Sequence, residues 1–206
     1  MFARLTPTVF VLLIANVAIY SAQLLLPQLP FEWFALWPLH SSELTGGLPF
    51  EPWQLVTYAF LHGSPTHLFF NMFALFMFGP DVEDLLGATR FRIYYLACLL
   101  GAAVAQLVVA ATVHPSPYPT VGASGAIFGL LLCYGMAFPH RRLMLLFPPI
   151  PIPAWLFVTL YGAAELYAGV FATNQGVAHF AHLGGMAAGY VLIRYWRSRS
   201  VRRLRF

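Results

Sequence analysis

The sequence predicts an all-α membrane protein in which six transmembrane helices form a single domain over residues 1–206, and three observations predict it. The first is composition. Of 206 residues, 60% are hydrophobic and only 9% are charged, with a mean hydropathy of +0.72, whereas an average soluble domain carries roughly 25% charged residues. The second is that apolar stretches recur six times at about the length needed to cross a bilayer, ~20 residues for ~30 Å of hydrocarbon. The third is that every basic residue falls on one side of the six stretches, in alternate connections, at the termini or at the adjoining ends of the stretches.

In chain order the stretches cover residues 6–26, 67–79 (extending toward 86), 91–113, 124–139, 154–171 and 177–196. The first exceeds the ~7–15 apolar residues of a cleaved signal peptide and is expected to be retained as a span. The connection over 27–65 is long, and its aromatic run Phe31-Glu32-Trp33-Phe34-Ala35-Leu36-Trp37 contains no basic residue. Trp favours the headgroup level, so this run is expected either to lie partly in the outer leaflet or to pack on the bundle as a hydrophobic loop. Cys98 and Cys133 fall inside spans, where a thiol is a small apolar packing residue rather than half of a disulfide.

All eleven basic residues are arginines: Arg4, Arg90, Arg92, Arg141, Arg142, Arg194, Arg197, Arg199, Arg202, Arg203 and Arg205. With six spans all eleven lie on one side, and the connections at 27–65, 114–123 and 172–176 contain none. The positive-inside rule then puts both termini in the cytoplasm of a multi-pass integral membrane protein, with a bacterial cytoplasmic membrane as the expected location. The arginine-rich tail adjoins the last span, where it meets anionic headgroups of the lipid bilayer; no nucleic-acid partner is expected.

Spacing from these inner boundaries brings polar residues to one depth. Ser124 is seventeen residues before Arg141, or ~26 Å at 1.5 Å per residue. His182 is fifteen residues before Arg197, or ~22 Å, and Asn71 is thirteen residues before Asp84, or ~20 Å. All three therefore lie several ångströms beneath the outer surface. Gly125-x-x-x-Gly129 and Gly185-x-x-x-Gly189 are small-residue repeats that let helix backbones approach closely in lipid, and His182 shares the stripe of Gly185 and Gly189.

Polar groups are costly in hydrocarbon, so an intramembrane cluster is a functional-site hypothesis by default. A serine hydroxyl with a neutral histidine in reach can carry out acyl transfer, the imidazole taking the proton and returning it to the leaving amine. Ser124 begins its helix, where unpaired backbone N–H groups can stabilise an oxyanion. His67 and Asn71, four residues apart, share a helix face and offer further donors. No acid at this depth presents itself as a third member. Glu165, in the fifth span, cannot be placed against His182 by spacing, and interhelical hydrogen bonding is its expected role. There is no His-Glu-x-x-His zinc motif, and the two aspartates, Asp81 and Asp84, flank the inner end of the second span, so neither metalloprotease nor aspartyl chemistry fits.

These residues resemble the rhomboid family of intramembrane serine proteases, and the resemblance extends over essentially the whole chain. Its Gly-x-Ser-Gly appears as Gly122-Ala123-Ser124-Gly125, its His-x-x-Gly-x-x-x-Gly as His182, Gly185 and Gly189, its His-x-x-x-Asn as His67 and Asn71, and its Gly-x-x-x-Glu-x-x-x-Gly as Gly79, Glu83 and Gly87. The resemblance implies a six-span bundle of the rhomboid type, Ser124 as nucleophile, His182 rather than His179 as base, and an oxyanion hole of His67, Asn71 and the Ser124 backbone N–H. It further implies a site opening outward, no cofactor, no metal, and as substrate the transmembrane helix of a single-pass membrane protein, cut near its outer end beside helix-destabilising residues. Two positions depart from the family pattern. Gln54 follows Trp53 where the family commonly has arginine, and Phe128 stands where it often has tyrosine, able to stack on His182 but without the hydroxyl.

Two other functions use the same residues. One is an inactive rhomboid-like protein that binds transmembrane clients; the other is a metal or proton transporter lined by His62, His67, His179 and His182. The arginine asymmetry makes a topological prediction. Cysteine introduced at Thr45 or Pro117 should react with an impermeant thiol reagent applied from outside, and cysteine at His140 or Ser200 should not; outside labelling at position 200 would overturn six spans.

Overall fold

The computed structural model describes residues 5–39, 48–113, 118–145, 148–171 and 179–199. Helices dominate: α1 (Pro7–Leu25), the single turn α2 (Gln54–Thr57), α3 (Pro65–Leu86), α4 (Ala88–Thr112), α5 (Ser124–Ala137), α6 (Ala154–Phe171) and α7 (His179–Arg199). The six long helices fall on the six apolar stretches. By length and hydropathy alone α1, α4 and α6 qualify as spans among the described residues. In the other three, α5 has only 14 residues, α3 carries Asp81, Glu83 and Asp84 near its end, and α7 begins with histidine and ends in arginine. The chain is an integral membrane protein with the helical bundle architecture expected of it.

Local chemistry fixes the helix ends. Ser64 caps α3, its Oγ accepting from the His67 N–H at 3.1 Å, with Pro65 in the first turn, where a missing N–H costs nothing. Gly87 ends α3 at φ +77°, a conformation that favours glycine, and α4 starts at the next residue. Pro139 follows the end of α5, and the residue before a proline is disfavoured in a helix. Between α5 and α6 lies a short antiparallel hairpin, β1 (Arg142–Met144) on β2 (Pro151–Pro153), with Leu143 opposite Ile152. An all-helical reading has no such hairpin; it forms where the chain turns back at the arginine-bearing end. Arg141 there pairs with Asp81 of α3 at 2.6 Å, an exposed contact of small energetic value.

The helix that begins with Ser124 is the innermost. Ten of the fourteen residues of α5 are buried, whereas α1 and α6 each bury three. Helix α7 packs most extensively on α4 and then on α5, and α4 packs on α5. Glycines make this three-helix core possible. A Cβ at Gly185 would fall on the carbonyl of Gly125, one at Gly129 on the thiol of Cys98, and one at Gly189 on the hydroxyl of Tyr94. That hydroxyl in turn donates to the Gly129 carbonyl at 2.8 Å. Cys98 and Cys133 are free and fully buried, as packing residues should be.

Glu83 joins α1 to α3. Its carboxylate accepts from the Thr6 hydroxyl and from the N–H groups of Thr8 at 3.2 Å and Val9 at 3.1 Å. The first N–H groups of a helix have no partner within it, and here a neighbouring helix supplies one, its negative charge at the positive end of the α1 dipole. Gly79 lies one turn earlier, where a Cβ would sit 2.7 Å from a methyl of Val9.

The connection after α1 is tied to the bundle by Gln54. Its side chain is fully buried; Oε1 accepts from the Trp37 N–H at 3.1 Å, and Nε2 donates to the carbonyls of Trp33 and Pro49, both at 3.2 Å. A neutral amide, with both donor and acceptor capacity, thus occupies the centre of the loop. The aromatic run packs on the bundle in part: Leu36 is buried and bridges to Thr120, while Trp33 and Phe34 are exposed.

Adding a methyl group at Gly185 should therefore be costly. Gly185→Ala should lose about 1–3 kcal/mol or more, because the obstructing atom is backbone and cannot rotate away. Gly63→Ala, where nothing lies within 4 Å of the new carbon, should change stability by less than about 0.5 kcal/mol. Thermal unfolding in detergent measures both; equal midpoints would show that the Gly125–Gly185 approach is not tight.

Candidate active site

Ser124 is the first residue of α5, and its Oγ lies 2.8 Å from Nε2 of His182 on α7. The contact is fixed one turn deeper, where Gly185 meets Gly125: Gly125 adjoins Ser124, and Gly185 is three residues, almost one turn, from His182. Phe128, one turn after Ser124, stacks on the His182 ring with centroids 4.2 Å apart and planes at 7°. Tyr161 of α6 packs on Phe128 in turn, at 4.8 Å. His182 is 9% exposed, so its ring has little freedom to leave this position.

The other face of the imidazole meets an acid. His182 Nδ1 lies 2.8 Å from Oε2 of Glu165 on α6, and Nδ1 of His179 lies 2.7 Å from the same oxygen. Glu165 is interhelical, as expected, and this contact sets beside His182 an acid that spacing alone does not place there. Spacing could not find it, because seventeen residues and a chain reversal separate Glu165 from His182. Depth could: the two histidines open α7 just as Glu165 approaches the end of α6. His179 touches the carboxylate and not the serine, which separates the two histidines as the family motif implies.

His67 and Asn71 meet the site through Gly122, two residues before the nucleophile. Gly122 has φ +121°, and a Cβ there would sit 2.7 Å from Nε2 of His67 and 3.7 Å from Nδ2 of Asn71. Only glycine admits both the backbone conformation and the imidazole. Its N–H donates to the Tyr58 carbonyl at 2.9 Å, which anchors the turn into α5. The first bond of the α5 ladder runs from the Ile127 N–H to the Ala123 carbonyl at 3.1 Å, so the Ser124 N–H lies ahead of the ladder, as helix-start donors do. Asn71 is buried, and its Nδ2 has no partner among the described residues. A buried donor left free is costly and is available to an incoming acceptor.

The sequence reading assigned His62 no structural place. It is buried; its N–H donates to Gln23 Oε1 at 3.1 Å, and its carbonyl accepts from Gln23 Nε2 at 3.4 Å, which ties the segment before α3 to α1. Its ring lies edge-on to His67 at 5.0 Å. Burial, with His67 beside it, pushes its pKa down to about 4 despite the opposing carbonyl of Phe60, so it is neutral at physiological pH. Glu165, His179 and His182 are residue types that hold zinc, and their donor atoms lie within 4.8 Å of one another. Both Nδ1 atoms, however, already make hydrogen bonds to the carboxylate.

Comparison with known proteins gives the chain a family. The rhomboid domain family model matches residues 49–199. The chain is 33% identical over 205 residues to the mitochondrial rhomboid protein 1 of Saccharomyces cerevisiae, covering 96% of this chain and 55% of that protein. It is 34% identical over 145 residues to the putative rhomboid protease YdcA of Bacillus subtilis, covering 69% of this chain and 66% of that protein. It is also 34% identical over 143 residues to the rhomboid protease GluP of the same organism, covering 68% of this chain and 25% of that protein. The chain thus spans between a quarter and two thirds of the length of these relatives. It belongs to the rhomboid family.

Proposed function

We propose that this rhomboid-family chain is an intramembrane serine endopeptidase that cuts the transmembrane helix of a single-pass membrane protein near its outer end. The observation that carries the proposal is the 2.8 Å approach of Ser124 Oγ to His182 Nε2 within a helical membrane bundle, the distance at which a base can take the hydroxyl proton. In the reaction His182 Nε2 removes the proton as Ser124 Oγ bonds to the scissile carbonyl carbon. The carbonyl π electrons move to oxygen. Collapse of this intermediate breaks the C–N bond, and the imidazolium delivers its proton to the leaving amine. Water then repeats the sequence on the acyl-enzyme, with His182 again as base, and frees the carboxylate product and Ser124.

The negative oxygen formed in each half needs donors in place beforehand. The Ser124 N–H, the free Asn71 amide and His67 are assigned that task. Their grouping around Gly122 supports it. The substrate helix must unwind at the cut, because helical carbonyls are already hydrogen-bonded and sterically shielded. The family resemblance supports a small residue before the scissile bond and helix-destabilising residues nearby. We further assign both termini to the cytoplasmic side of a six-span protein, in a bacterial cytoplasmic membrane, with the site opening on the opposite face; the distribution of the arginines supports this orientation.

In proteoliposomes carrying a single-pass model substrate, Ser124→Ala and His182→Ala should each abolish cleavage, since nucleophile and base act as a unit. Retained cleavage in Ser124→Ala would end the proposal. Asn71→Ala should keep KM near that of the parent and lower kcat by about 10²–10³, the usual loss for one oxyanion donor. Unchanged turnover would remove Asn71 from the site.

A further inference from the structure

The assignment of Ser124 and His182 leaves unexplained why a carboxylate and a second histidine lie behind the base. Glu165 Oε2 receives both Nδ1 of His182 at 2.8 Å and Nδ1 of His179 at 2.7 Å, and Glu165 itself is 8% exposed. An unpaired carboxylate in such a place is costly, so its two contacts are what hold it there. We propose that Glu165 is a positioning residue that turns the serine and histidine into a hydrogen-bonded relay Ser124–His182–Glu165, with His179 as the second donor that holds the carboxylate in line. The proposal rests on the reading of Ser124 as nucleophile and His182 as base.

An ionised carboxylate only accepts hydrogen bonds, so the His182 atom facing it must be Nδ1–H. In a neutral imidazole the other nitrogen then carries the lone pair, and that nitrogen, Nε2, is the one beside the Ser124 hydroxyl. Glu165 therefore selects the tautomer that can act as a base. When Nε2 takes the serine proton, the ring becomes a cation flanked by the carboxylate on one edge and by Phe128 on its face, and both favour positive charge. No proton passes to Glu165. Its charge orients and stabilises the imidazolium, as a triad acid does.

His179 has a defined part in this arrangement. Its Nδ1 is committed to Glu165, and its Nε2 has no partner among the described residues, so its polar contact is with the carboxylate and not with the nucleophile. His179 and His182 are three residues apart and lie on one side of α7, so both reach the same oxygen across to α6. Helix α6 buries only Ala154, Val158 and Glu165. The contact that orients the base is thus also one of the few that seat this helix on the bundle.

The test is a kinetic and spectroscopic comparison of Glu165→Gln, Glu165→Asp, His179→Ala and Ser124→Ala in full-length protein in proteoliposomes, each first shown to be thermostable. Glu165→Gln can present its amide N–H to Nδ1 and so put the ring proton on Nε2. The corresponding change in a Ser-His-Asp triad costs about 10⁴ in kcat. Glu165→Gln should therefore lower kcat by about 10²–10⁴ with KM within about threefold, and Glu165→Asp should recover part of the loss. His179→Ala should lose less than Glu165→Gln. Nitrogen-15 NMR of labelled histidine should show Nδ1 protonated and Nε2 bare for His182 in the parent, and a shift toward Nε2–H in Glu165→Gln. Full kcat in a folded Glu165→Gln, with Ser124→Ala inactive, would overturn the relay while leaving the nucleophile in place; activity in Ser124→Ala would overturn the reading beneath it. A chelator that abolishes cleavage by the parent would also overturn the relay, since the three donors would then be serving a metal.

Discussion

The approach of α7 to α5 at Gly185 and Gly125 sets the distance between Ser124 and His182. Two helices of ordinary side chains lie 8–10 Å apart, which would leave room between the serine and the histidine. Here one backbone rests on the other, and a Cβ at Gly185 would overlap the Gly125 carbonyl. The polar pair follows directly beside that contact, Ser124 one residue from Gly125 and His182 almost one turn from Gly185. Because the contact is between backbones, no side-chain rotation can relax it, and the 2.8 Å hydrogen bond inherits its rigidity. In lipid, where apolar surfaces gain little from meeting one another, close packing of this kind is a main source of helix association.

A second frame holds the opposite wall. Helix α1 is clamped to α3 by Val9 and Glu83 at one end and to the segment just before α3 by Gln23 and His62 at the other, and α3 carries the His67 and Asn71 that face Gly122. The connection between α1 and α3 is held by Gln54 and by the bridge from Leu36 to Thr120, and the latter segment leads directly into α5. Electrostatic stabilisation of an oxyanion depends on donors that do not have to reorganise. These two clamps hold the donors proposed for that task from outside the site, one of them through a carboxylate at a helix start and the other through a neutral amide.

Much of this was legible in the sequence because membranes impose a coarse ruler. Apolar runs located the six long helices to within a few residues, and fifteen to seventeen residues of rise put Ser124 and His182 at one height. What spacing could not provide was rotation about a helix axis between helices distant in sequence. Glu165 illustrates this: its height near the end of α6 matches the start of α7, yet only the packing of α6 on α7 turns it toward His182. Gln54 illustrates a second limit. Replacing an arginine suggests a lost network, yet an amide with two donors and an acceptor meets three backbone groups without a charge to bury. The hairpin of Arg142–Met144 on Pro151–Pro153 was hidden for another reason, since three-residue strands, one of them Pro-Ile-Pro, carry too short a pattern to separate from a loop.

The central claim is that Ser124 is a nucleophile made reactive inside a membrane bundle, and covalent chemistry tests it without a known substrate. A serine-reactive fluorophosphonate applied to the detergent-purified protein, with the labelled peptide mapped by mass spectrometry, should modify Ser124, and Ser124→Ala should remain unlabelled. A parent protein that stays unmodified while folded, or that is labelled equally when Ser124 is alanine, would contradict the account.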